Sequence, residues 1–202
     1  MTAGVIVAGG RSTRFGDADK AVAELAGVPM VRRVADRLVE RVDALVVNCR
    51  TDQRDAIAEA LVGYPLPVAY AVDPDPDEGP MAGIRTGLRA VEGEYAFVCA
   101  CDMPFLDPAV VDLLVERAAG HDAAVPKLDD GWYQTTHAVY RAEPMADACD
   151  RALARDEHKI LAPLEQLDWV VVSEAAVRER GSVETFENLN THEEFERAAE
   201  RF

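Results

Sequence analysis

The chain has 202 residues, 49% of them hydrophobic, which suits one α/β domain with a substantial core and excludes disorder as its general state. Its 37 acidic against 21 basic residues leave a formal charge of −16, a surface that repels nucleic acid and anionic membranes and argues against both as partners. No apolar run approaches the roughly 18 residues of a membrane span, and the N-terminus leads straight into a strand, so a soluble cytoplasmic protein is expected.

The first apolar run, Val5 to Ala8, reads as a strand ending in the pair Gly9-Gly10, after which a polar, basic loop reaches Lys20. Gly27 and Pro29 mark a turn. Val31, Val34, Leu38 and Val42 then recur at helical spacing with charged residues between them. Ala44 to Cys49 is a short continuous apolar run, as expected of a strand covered on both faces. Gln53 to Val62 reads as a helix, Pro67 to Val72 as a strand, and Asp73 to Gly83 as loop by composition. Ile84 to Val91 is helical, Tyr95 to Cys101 is a strongly apolar strand, Pro108 to Ala119 is a helix and Ala123 to Pro126 a strand.

After Lys127 the pattern changes. A turn at Asp129 to Gly131 precedes a strand, Tyr133 to Tyr140, that could return antiparallel. A helix over Ala142 to Ala154, a strand over Trp169 to Val172, a polar segment and a last helix from Thr191 to Arg201 complete the chain. This alternation predicts an α/β fold: a Rossmann-like, mostly parallel sheet with helices on both faces and a small antiparallel elaboration in the second half. No internal repeat or linker divides the chain, so residues 1–202 read as a single domain. Cys49, Cys99, Cys101 and Cys149 read as small hydrophobes rather than a disulfide framework or zinc site.

In an open parallel sheet, ligands bind beyond the carboxyl ends of the strands. Those ends carry Gly9 and Gly10, Asn48, Asp73 and Asp102. The glycine pair lets the backbone approach an anion and expose successive N–H groups to it, and Arg11, Arg14 and Lys20 add cationic donors. The remaining acidity then reads as a general surface property, suited to hydration in a high-salt cytoplasm. Asp102, at the end of a buried strand, needs a cation or donors; Mg²⁺ held between it and phosphate oxygens would supply one, while capping of the helix near Pro108 is the alternative. Gly79 and Gly83 flank Pro80-Met81-Ala82, where the main chain could approach a flat base or where Pro80 could simply start a helix. Thr191 with Glu194 fits a capping box, and alternation would put Asn188 and Asn190 on one side of an extended segment facing a shared ligand.

These residues resemble the signature of sugar-phosphate-type nucleotidyltransferases, and most closely molybdenum cofactor guanylyltransferases. The similarity rests on VAGGRSTRFG and the following Asp-Lys at 7 to 20, VVN at 46 to 48, Asp73, GPMAG at 79 to 83, CDMPF at 101 to 105 and NLNT at 188 to 191. It implies a fold of the nucleotide-diphospho-sugar transferase type, with residues 1–126 as the nucleotide-binding half and 127–202 as the acceptor-side half. It also implies transfer of GMP from GTP to molybdopterin or its molybdenum-loaded form, with Mg²⁺ as cofactor and transient contact with cofactor-carrying proteins or molybdoenzymes.

Carried over, Lys20, Asp102 and Arg14 are catalytic, and Asp102 is the metal ligand. Val7, Ala8, Gly9, Gly10, Lys20, Asn48, Asp73, Gly79, Gly83 and Asp102 bind the nucleotide, and Asn188 and Asn190 the acceptor. Trp132 to His137, WYQTTH, departs from the family's hairpin, which carries a His-Pro element. Alternatives are a CTP-dependent molybdopterin cytidylyltransferase, a cobinamide-phosphate or deazaflavin-precursor guanylyltransferase, and a non-catalytic nucleotide- or cofactor-binding module.

Overall fold

The computed structural model describes residues 2–10, 19–74 and 78–202. The first strand, β1 (Thr2–Val7), is buried on both faces in the interior of the sheet. Lys20 leads into a tight hairpin of two-residue strands, β2 (Glu24–Leu25) and β3 (Val28–Pro29). Ala26 and Gly27 turn it with φ of 49° and 76°, the left-handed pair that a two-residue hairpin turn requires. Helix α1 (Met30–Leu38) follows, burying Met30, Val31, Val34, Ala35 and Leu38 at the spacing of a single face. Strand β4 (Ala44–Cys49), helix α2 (Arg54–Ala60) and strand β5 (Val68–Val72) continue the alternation.

Helix α3 runs over Pro80–Arg89, so it begins four residues before the expected start at Ile84. Gly79, at φ 88°, turns the chain, and Pro80 sits in the first turn, where its missing N–H costs no hydrogen bond. Strand β6 (Tyr95–Ala100), helix α4 (Pro108–Ala118) and strand β7 (Ala123–Lys127) lie where the sequence puts them. Strand β8 spans only His137–Arg141, because Tyr133 makes an isolated antiparallel bridge to Lys127 and the chain then turns, His137 N–H bonding Gln134 O, before regular pairing begins. Helices α5 (Ala142–Leu153) and α6 (Leu161–Leu164), strand β9 (Trp169–Ser173), helix α7 (Glu174–Arg180), a 3₁₀ turn (Val183–Phe186) and helix α8 (His192–Ala199) complete it. Helix α7 lies within the stretch read only as polar; Ser173 caps it by accepting from Ala176 N–H.

One seven-stranded sheet in the order β5-β4-β1-β6-β8-β7-β9 runs through both halves of the chain. Only β8 runs antiparallel to its neighbours β6 and β7. The chain progresses outward from β1 to β4 and β5, then returns to place β6 on the other side of β1, and ligands bind in the crevice such a reversal opens. Two hydrophobic layers sandwich the sheet: one includes Val34, Leu38, Ile57, Leu114 and Val177, the other Ile84, Leu88, Met145 and Leu164. A third, small cluster joins Leu25 and Met30 to Leu189, Phe195 and Ala198, so α8 closes over the hairpin after Lys20. Cys49, Cys99 and Cys149 are buried free thiols and Cys101 is half-buried; burial pushes Cys49 up to about 11 and Cys149 to about 12, as befits packing rather than reactivity. No helix among the described residues is long and apolar enough to cross a membrane.

Candidate active site

At the crevice between β1 and β6 lies a cleft of about 460 Å³. It is lined by Val7, Ala8, Gly9, Gly10, Lys20, Asn48, Gly79, Pro80, Gly83, Ala100, Cys101, Asp102, Thr136 and Asn190. Ala8 N–H bonds Asn48 O and Cys101 N–H bonds Val7 O, which carries the sheet's pairing to the edge of the cleft.

Two residues 82 apart in sequence form its polar centre. Lys20 Nζ donates to Asp102 Oδ2 at 2.7 Å and to Asn190 Oδ1 at 3.3 Å. The pair is largely buried, with side-chain exposures of 8% and 18%, so water screens it little. Asp102 Oδ1 is buried with no partner among the described residues. The helix-capping alternative for Asp102 falls to Asp107, whose Oδ1 accepts from Ala109 N–H at 2.9 Å. Leu189 N–H instead bonds Asp102 O at 3.0 Å, and this contact brings the Asn188–Thr191 segment against the cleft. Asn190 lines it; Asn188 donates to Phe186 O and is not among the lining residues. Thr191 and Glu194 form the expected capping box of α8.

An orphan buried carboxylate oxygen is a place for a hard cation. No group of three or more His, Cys, Asp or Glu side chains among the described residues could hold a metal alone. Asp102 is the residue here that would hold a Mg²⁺, an ion commonly bound by one or two carboxylates together with phosphates and water.

Asn48 is fully buried at the end of β4, its Nδ2 donating to Ala71 O at 3.1 Å and to Asp73 Oδ1 at 2.7 Å. Its Oδ1 has no partner among the described residues. The surrounding backbone is close: a Cβ on Gly9 would come within 2.6 Å of Asp73 Oδ2, and one on Gly83 within 2.5 Å of Asn48 Oδ1. Gly83 and Gly87, one turn apart on α3, thus let the helix lie directly on the ends of β1 and β4. Burial raises the Asp73 carboxyl above its ordinary value, opposed by hydrogen bonds from Asn48 and Thr86.

Arg11, Arg14 and Gly16 lie outside the described residues. Arg50 and Gln53, which carry no motif in the sequence, follow β4 and bond the carbonyls of Ala8, Gly9 and Gly10. Their only signal was a position just beyond a strand end that already carried Asn48.

A family model described as a MobA-like NTP transferase domain matches residues 4–170. The chain is 55% identical over 198 residues to a probable molybdenum cofactor guanylyltransferase of Natronomonas pharaonis, covering 98% of this chain and 96% of that one. It is 32% identical to the molybdenum cofactor guanylyltransferase of Desulfosudis oleivorans, over 96% of this chain and 93% of the relative. Among solved structures it is similar to molybdopterin-guanine dinucleotide biosynthesis protein A from Archaeoglobus fulgidus, with a TM-score of 0.80, 29% identity and coverage of 100% and 98%. A 4-diphosphocytidyl-2C-methyl-D-erythritol synthase from Anaerococcus prevotii shares the fold, at a TM-score of 0.75 and 14% identity over 99% of this chain and 95% of that one.

Proposed function

The chain belongs to the MobA-like NTP transferase family, and from that membership we propose that it transfers GMP from GTP to molybdopterin or its molybdenum-loaded form and releases pyrophosphate. The observation that carries this reading at the level of the site is the Lys20–Asp102 pair beside the Gly9-Gly10 loop, inside a cleft at the sheet's reversal point. A cation and a carboxylate with an orphan oxygen suit a nucleoside triphosphate. The lysine can turn to the phosphates while the carboxylate takes a metal ion.

Asp102 is the residue that would hold Mg²⁺, which when bound neutralises charge on the phosphates and on the departing pyrophosphate. The acceptor's terminal phosphate is already ionised and attacks the α-phosphorus in line with the leaving group, so no general base is needed. The chain contributes positioning and charge neutralisation. Backbone N–H groups at Gly9 and Gly10 and the Lys20 ammonium face the phosphates. Asn48 and Asp73 serve the guanosine side, with Gly79 and Gly83 bounding the base. Residues 1–126 hold the nucleotide and 127–202 the acceptor, Asn190 reaching from the second half to Lys20.

Incubation with molybdopterin and each nucleoside triphosphate in turn, with pyrophosphate release as the readout, tests the proposal. Release with GTP in the presence of magnesium is expected. A preference for CTP would make the chain a cytidylyltransferase. GTP binding that ignores Mg²⁺, with no turnover on any phosphorylated acceptor, would make it a binding module.

A further inference from the structure

Three consecutive carbonyl oxygens of the loop after β1 are held from behind. Gln53 Nε2 donates to Ala8 O at 3.1 Å, and Arg50 Nη1 donates to Gly9 O at 3.2 Å and Gly10 O at 2.8 Å. Neither side chain is loose. Gln53 is 2% exposed and its Oε1 accepts Arg50 N–H at 3.0 Å. The Arg50 guanidinium is fixed on its far side by Asp52, Nε to Oδ1 at 3.1 Å and Nη2 to Oδ2 at 3.3 Å. Nη2 also lies 3.8 Å from Asp19 Oδ2. One side chain therefore engages the residues on both sides of segment 11–18.

In a planar trans peptide the N–H points opposite to the C=O of the same unit. With the carbonyls of Ala8 and Gly9 turned toward Gln53 and Arg50, the N–H groups of Gly9 and Gly10 point the other way. That way is into the cleft, because Ala8, Gly9 and Gly10 line it while Arg50 and Gln53 do not. Neither N–H bonds another described residue. We propose that Arg50 and Gln53 are positioning residues that hold the Gly9-Gly10 backbone as an anion cradle for the polyphosphate of the nucleotide, acting through the carbonyls rather than on the substrate.

The inference rests on the nucleotidyl-transfer reading and names how one part of that site is built. Its chemistry is preorganisation: amide dipoles fixed toward an anion need no reorientation when it arrives, whereas a released peptide could swing a carbonyl oxygen into the same place. Arginine suits the task because its planar fork reaches two carbonyls and a carboxylate at once, which a lysine's single ammonium cannot do in the same geometry.

Calorimetric titration of the whole chain with inorganic pyrophosphate, guanosine and GTP, in magnesium chloride, tests it in Arg50→Met, Arg50→Lys and Gln53→Met, with thermal melts alongside. Pyrophosphate affinity is expected to fall roughly tenfold or more in both methionine variants, as loss of a charged or buried donor implies. Guanosine affinity should stay within about twofold, and Arg50→Lys should remain impaired. Unchanged pyrophosphate binding in Arg50→Met or Gln53→Met, an equal loss of guanosine binding, or full recovery in Arg50→Lys overturns the proposal. If Arg50→Met does not fold, Gln53→Met, which changes no charge, decides alone. A wild-type chain that binds neither GTP nor pyrophosphate overturns instead the nucleotidyl-transfer reading beneath it.

Discussion

Lys20 Nζ sits 2.7 Å from Asp102 Oδ2, while Asp102 Oδ1 is buried with no partner among the described residues. The carboxylate has capacity for a second cation: Oδ2 meets the lysine, and Oδ1 is free to meet the metal ion of the proposed reaction. Asp102→Asn preserves shape and removes charge. Its kcat is expected to fall about a hundredfold or more, with GTP affinity changed by less than about fivefold, the pattern of a group that acts mainly in the transition state. Lys20→Met should weaken GTP binding as well as turnover, since it removes the ammonium proposed to meet the phosphates. Steady-state kinetics with equilibrium GTP binding on both variants checks the pair. Equal losses of rate and affinity in Asp102→Asn would make Asp102 a ground-state binder.

Asp73 is held in a less comfortable state. Burial lifts its carboxyl above the ordinary 3.8, with Asn48 and Thr86 pulling the other way. A raised folded value means that the folded chain binds this proton more tightly than the unfolded one. Its contribution to stability is therefore greatest in acid and is lost as pH rises from the ordinary value through the raised one. Asp73→Asn, neutral at all pH, is expected to melt at or above wild type at neutral pH, with its relative advantage shrinking toward the ordinary carboxylate range. In the same variant GTP should bind about tenfold more weakly if the carboxylate serves guanosine. Melting curves across pH and GTP titration read the two effects separately, and a neutral-pH melting temperature well below wild type would contradict the first.

Sequence anticipated these residues because parallel strands that point the same way put all their carboxyl ends on one edge. Gly9, Asn48, Asp73 and Asp102 could thus be grouped from strand order alone. What stayed hidden depends on contacts that carry no residue identity at one end. Arg50 and Gln53 bond backbone carbonyls, which look alike in every sequence. The β2–β3 hairpin has two-residue strands, too short for any alternation to register. Glycines and prolines crowd Asp73 to Gly83 and give it the composition of a loop, and it is the alternative reading, in which Pro80 starts the helix, that the structure shows. His137 fell within the segment that departs from the family pattern, and nothing in its neighbours foretold full burial.

The two glycines of α3 separate packing from binding. A Cβ at Gly87 would lie 2.6 Å from Val5 Cγ1, deep under the sheet, whereas one at Gly83 would press on Asn48 Oδ1 and lie 3.1 Å from Val7 Cγ1. Alanine gains up to about 1 kcal/mol of helix propensity at either site. Overpacking costs about 1–3 kcal/mol, so both variants should be destabilised on balance. Gly87→Ala is expected to lower the melting temperature and leave GTP affinity near wild type; Gly83→Ala, by displacing Asn48, should weaken GTP binding too. Similar affinities in the two variants would sever Asn48 from the nucleotide site.

His137 is fully buried between the loop that carries Asp102 and the segment before α8. Asp107 N–H donates to Thr185 Oγ1 at 2.9 Å, which leaves the threonine's own proton for His137 Nε2 at 3.1 Å. The ring proton then belongs on Nδ1, 3.4 Å from Met103 Sδ. Burial pushes the imidazole down to about 3, so it is neutral when folded, while in the unfolded chain it titrates near its ordinary 6.5. Between those values the unfolded state binds the extra proton. The contribution of His137 is therefore complete above the ordinary value and is lost as pH falls below it, at up to about 1.4 kcal/mol per pH unit. His137→Gln carries no such proton. Urea unfolding of both proteins from about pH 7.5 to about pH 5 should show the wild-type advantage narrowing steadily below the ordinary histidine value. A gap that stays constant across that range would mean that the folded chain accommodates the imidazolium, and would contradict the hydrogen-bonded neutral ring.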